Sequence, residues 1–66
     1  MVVGTVRSFD DELGYGFILS DEGELIFVHH SSIEMEGFRT LSPGDHVVFE
    51  IVIGKRGPEA KRVRKT

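Results

Sequence analysis

A chain of 66 residues with no cysteine can build neither a disulfide framework nor a thiolate metal site, and the reducing environment of the cytoplasm is its expected setting. Eight basic against eleven acidic residues leave a formal net charge of -3, which argues against a protein that grips nucleic acid by bulk charge alone. No run approaches the ~18 apolar residues of a membrane span, and the N-terminus lacks the basic and apolar regions of a signal peptide, so no membrane association is expected.

Short β-favouring runs recur between turn signals without sustained 3.6-residue periodicity, and the chain reads as all-β. The first strand is predicted over Val2–Asp10, ending in the acidic turn Asp10-Asp11-Glu12-Leu13-Gly14. The second covers Tyr15–Leu19 and is followed by Ser20-Asp21-Glu22-Gly23, where Gly23 suits the left-handed position of a short hairpin. Leu25–His29 should return antiparallel as the third strand. The longer connection over 30–45 holds Ser31-Ser32-Ile33, one helical turn, and Ser42-Pro43-Gly44-Asp45, a type II turn with Pro43 and Gly44 at its centre. His46–Ile53 is the fourth strand, Gly54-Lys55-Arg56-Gly57 a turn, and Pro58–Arg64 the fifth strand, with the proline tolerable at its start. Five short strands suit a small closed or nearly closed barrel, which removes the exposed edges of a flat sheet. No repeat or linker divides residues 1–66, which read as one domain.

Alternation assigns the faces. Tyr15 and Phe17 share one side of the second strand against Gly16 and Ile18, while Phe27 and His29 alternate with Ile26 and Val28. A narrow barrel favours small branched side chains inside, so Ile18, Ile26 and Val28, with Val6, Ile33, Val47, Phe49, Ile51 and Val63, form the expected core. Tyr15, Phe17, Phe27 and His29 then lie outside on two paired strands. The inverse arrangement, with Phe17 and Phe27 inside, satisfies alternation equally well. The imidazole of His29 favours the first, because it is easier to solvate than to bury.

Exposed rings interleaved with polar groups suit single-stranded nucleic acid, since every base offers a π-face and nearby cations follow the phosphates. Gly14 and Gly16 are expected to leave clearance for the ligand. Charge is unevenly spread: residues 1–54 hold ten acids against Arg7 and Arg39, whereas residues 55–66 hold six cations against Glu59. The segment reads either as a basic edge on an acidic body or as a solvated tail.

The order and spacing of Gly4-Thr5-Val6 with Phe9, Gly14-Tyr15-Gly16-Phe17-Ile18, Phe27-Val28-His29, Gly37-Phe38-Arg39-Thr40-Leu41, Phe49-Glu50, and Gly57-Pro58 with Ala60 and Val63 resembles the bacterial cold-shock proteins over nearly the whole chain. The resemblance implies a five-stranded antiparallel OB-type barrel that binds single-stranded RNA and DNA, with an RNA-chaperone role. By position it implies stacking rings at Tyr15, Phe17, Phe27 and His29, in motifs running Gly14–Ile18 and Ile26–His30, with Phe9 and Phe38 extending the platform. Arg7 and Arg56 would supply cationic contacts, and Arg39 a further phosphate contact. The family usually has tryptophan at Ser8, lysine at Leu13 and an aromatic, commonly phenylalanine, at His30. These departures imply weaker binding, and His29 with His30 implies a dependence on pH.

No metal or cofactor is expected, because His29 and His30 as strand neighbours should point to opposite faces and His46 starts a distant strand. Nor is an enzyme: the acidic runs fall in turns, and Ser31-Ser32 beside the histidines lacks an oxyanion hole or pocket. The rival reading is a protein-interaction barrel whose aromatic patch docks a partner or a second copy. A monomer is expected, with a strand-swapped dimer as the alternative.

Overall fold

The computed structural model describes residues 1–66. Its strands are β1 (Val2–Asp10), β2 (Tyr15–Ser20), β3 (Leu25–His29), β4 (His46–Gly54) and β5 (Gly57–Lys65), with one 3-10 turn, His30–Ser32, after β3. The predicted strands agree to within a residue at each end. They close into a barrel in the order β1-β2-β3-β5-β4.

Four of the five joins are antiparallel, as expected of hairpins and short returns. The fifth differs from the all-antiparallel expectation: β3 and β5 run parallel, paired at Phe27 and Glu59 and aligned again at the isolated bridge Ile33–Val63. Parallel neighbours require a long crossover, which the connection after β3 and the β4–β5 hairpin provide.

Inward-facing positions from all five strands make the core: Val6, Ile18, Ile26, Val28, Val47, Phe49, Ala60 and Val63, joined by Ile33 and Leu41 from the connection. Ile51, expected inside, is half-buried and packs against this cluster. Leu41, buried in the core, could not be identified by strand alternation, because it lies on no strand.

Three local features set the shape. The turn before β4 forms as expected, with Asp45 N–H donating to the Ser42 carbonyl at 3.0 Å and Gly44 at φ 94°. The Asp45 carboxylate accepts from Ser42 N–H at 2.9 Å and lies 3.2 Å from Lys65 Nζ. The Ser42 N–H foremost, and then Lys65, hold its carboxyl below the ordinary carboxylate range. In β1 the register against β2 shifts between Val6 and Ser8, leaving Arg7 and Ser8 as consecutive exposed residues.

The shift in β1 also explains Gly16. A Cβ there would stand 2.1 Å from the Ser8 carbonyl oxygen and 2.6 Å from Phe9 Cα. The glycine admits β1, not a ligand, which corrects the clearance expected for it. Gly14, at φ 79°, likewise faces the chain itself: a Cβ would lie 2.7 Å from the His30 ring.

Candidate nucleic-acid interface

Pairing across the sheet arranges the outer face in rows. Ser8, Phe17, Phe27 and Glu59 follow one another from β1 through β2 and β3 to β5, and Asp10, Tyr15 and His29 form the next row. The spacing of the strands therefore brings Tyr15, Phe17 and Phe27 together. Phe17 meets Phe27 edge-on, with centroids 6.0 Å apart and planes at 75°, and Tyr15 lies tilted against it at 5.6 Å and 35°. From the β4–β5 turn, the Arg56 guanidinium carbon sits 4.7 Å over the Phe27 ring.

These four residues, with Leu25 and Pro58, line an open cavity of about 340 Å³. Tyr15 is exposed and Phe17 half-buried, but Phe27 is only 7% exposed. It stands outside the ten-residue core, as alternation requires, and is covered by its neighbours, not open as expected. Leu25 was legible as part of this face, since it precedes Phe27 by two residues and His29 by four. Pro58 carried no such signal beyond its closeness to Arg56.

A second group gathers at the end of β3. His29 Nδ1 accepts from Ser31 N–H at 3.2 Å and lies 2.9 Å from Ser31 Oγ, capping the 3-10 turn. The strand stops at His29, and the turn brings the His30 ring within 4.4 Å of it. The two rings thus lie side by side, against the expectation of opposite faces, because strand alternation no longer applies beyond His29. No cluster of three or more His, Cys, Asp or Glu side chains accompanies them.

His30 and the exposed Phe38 line a cavity of about 440 Å³ with Leu13, Arg39, Asp11 and Glu12. The loop carrying Phe38 is held to the β1–β2 turn by a hydrogen bond from Thr40 Oγ1 to Asp11 Oδ1. Phe9, like Phe27, is not open as expected: it is half-buried and packs against the core. Arg7 is exposed at the shifted register of β1.

The basic segment divides in two. Arg62 lies 3.8 Å from Glu34 and 3.9 Å from Glu50, Arg64 lies 3.7 Å from Glu34, and Lys65 pairs with Asp45. Exposed pairs of this kind add little stability, but they compensate the C-terminal cations. Lys55, Arg56 and Lys61 make no ion pair, and of these Arg56 is the one at the rings.

The family model for the "cold-shock" DNA-binding domain matches residues 2–66. The chain belongs to the cold-shock domain family. A cold shock-like protein of Thermotoga maritima is 57% identical over 61 residues, which are 92% of each chain. Another, from Listeria monocytogenes, is 54% identical over 65 residues, 98% of each chain. The cold shock protein CspB of Bacillus caldolyticus is 52% identical over 62 residues, 94% of each. Among solved structures, drosophila Unr CSD456 superposes with a TM-score of 0.80 at 23% identity, over 98% of this chain and 26% of that longer one. That likeness supports the OB-type barrel. Cold-shock domains bind single-stranded nucleic acid and are not enzymes. No helix of this cold-shock domain is long and apolar enough to cross a membrane.

Proposed function

We propose that this cold-shock domain binds single-stranded RNA and DNA by stacking bases along Tyr15, Phe17, Phe27 and His29, and on His30 and Phe38, while Arg7, Arg39 and Arg56 meet the phosphates. The observation that carries this reading is the cluster of Tyr15, Phe17 and Phe27 on one outer face, with the unpaired Arg56 directly over it. Rings on a rigid sheet accept any base, and such binding is sequence-tolerant. This suits a cytoplasmic RNA chaperone that keeps transcripts from folding on themselves. Ser8 in the Phe17 row, Leu13 in the His30 cavity and the acids beside it support a weaker hold than that of a relative with tryptophan and lysine at those positions.

An oligothymidine titration tests the reading. At low salt the strand should quench Tyr15 fluorescence and shift the amides of Tyr15–Ile18 and Phe27–His30, and Phe17→Ala should weaken binding by roughly tenfold. The slope of log affinity against log salt should be small, about 0.7 for each phosphate neutralised. A titration without response at low salt would overturn this reading in favour of a protein-interaction barrel.

A further inference from the structure

Phe27 occupies the centre of the aromatic face and is nevertheless almost fully covered, at 7% exposure. Tyr15 and Phe17 account for its flank and edge, and the Arg56 guanidinium carbon lies 4.7 Å over its ring. A base stacked directly on that side of Phe27 needs the space the guanidinium holds, because both interactions place a planar group over the π-face.

Arg56 is poorly tied down elsewhere. It is exposed, belongs to the two-residue turn Lys55-Arg56 between the paired Gly54 and Gly57, and makes no ion pair or side-chain hydrogen bond. Its side chain can therefore leave the ring by rotation while the sheet stays in place. A phosphate gives the guanidinium a better partner than the ring does, through paired charge-assisted hydrogen bonds. An uncharged planar ligand gives it none.

We infer that Arg56 is a specificity-determining lid, which closes Phe27 to planar ligands that bring no anion and is drawn aside by the phosphates of a strand whose base then takes the ring. The inference rests on the base-stacking reading proposed above and adds a coupling to it: phosphate recognition and access to Phe27 are the same event. Holding the lid closed reduces stacking of a neutral ligand by roughly two- to fivefold, the scale of an exposed cation–π contact.

The test compares oligodeoxythymidine with a peptide nucleic acid of the same thymine sequence, whose backbone is neutral, on the wild type, Arg56→Ala, Phe27→Ala and the double variant. Arg56→Ala should weaken the DNA and tighten the neutral strand by roughly two- to fivefold. That gain should vanish when Phe27 is also alanine. A merely structural role for Arg56 would move both ligands the same way. Absence of a gain for the neutral strand, through unchanged, weaker or undetectable binding, or a gain that persists without Phe27, overturns the lid. If the wild type fails to bind the DNA at low salt, the base-stacking reading itself falls.

Discussion

Ser8 on β1 stands directly opposite Phe17 on β2, in the row that continues to Phe27 and Glu59. A hydroxymethyl group occupies the place where one more ring would lengthen the platform, and the register shift beside it leaves the position exposed. Ser8→Trp should therefore raise the affinity for oligothymidine by roughly tenfold or more, given about 1–3 kcal/mol for each stacked base and about 1.4 kcal/mol per decade. The introduced indole reports its own titration. Unchanged affinity would show that the row does not carry bases.

Gly16 and Gly23 are both glycines beside hairpins, but for different reasons. Gly16→Ala forces a methyl into backbone atoms of β1, 2.1 Å from the Ser8 oxygen. The loss should be about 3 kcal/mol or more, which would remove most of the stability of a domain this size. At Gly23, with φ 90° and nothing within 4 Å of a Cβ, alanine meets only backbone strain of about 1–2 kcal/mol. Urea midpoints should rank the two variants in that order.

The Asp45 carboxyl is held below its ordinary value of 3.8, first by Ser42 N–H and next by Lys65. A carboxyl with a lowered folded-state value adds stability that is fully present above the ordinary value. That contribution is lost as pH falls through the folded one. Asp45→Asn should lower the thermal midpoint at neutral pH, and its difference from the wild type should close as pH falls below about 4. A gap that stays constant down to about pH 2 would assign the effect to something other than the charge.

His29 and His30 bring two imidazoles to one side of the interface. His29 Nδ1 already accepts from Ser31 N–H, whereas the His30 ring makes no hydrogen bond and lines the cavity beside Phe38, so His30 is the ring free to stack on a base. His30→Ala should weaken oligothymidine binding by roughly tenfold, and His30→Phe, which keeps a ring, should not. Unchanged affinity in the alanine variant would exclude the histidine from the platform.

Alternation made much of this molecule legible: Ile18, Ile26 and Val28 point inward and Tyr15, Phe17 and His29 outward, because a strand permits only those two directions. Turn chemistry located the Pro43-Gly44 and Gly23 turns for an equally local reason. What escaped depends on groups distant in sequence. The shift at Val6/Ser8 and the need for Gly16 arise where β1 closes on β2, and Leu41 is buried by a connection without period. Phe27 showed the same limit at the interface. Its face could be read from spacing, but part of its cover comes from Arg56, 29 positions later in the chain.

The parallel seam between β3 and β5 gives that cover a mechanical meaning. Phe27–Glu59 and Ile33–Val63 are its paired positions, whereas each of the other four joins pairs at least four consecutive or nearly consecutive positions, even where the register shifts at Val6/Ser8 and Val48/Glu50. Tyr15, Phe17 and Phe27 lie on one bank of the seam, and Arg56 and Pro58 on the other. A strand bound as proposed, from Tyr15 to Arg56, would span both and work as a clasp. Amide hydrogens along β3 and β5 should then exchange more slowly when the clasp is fastened.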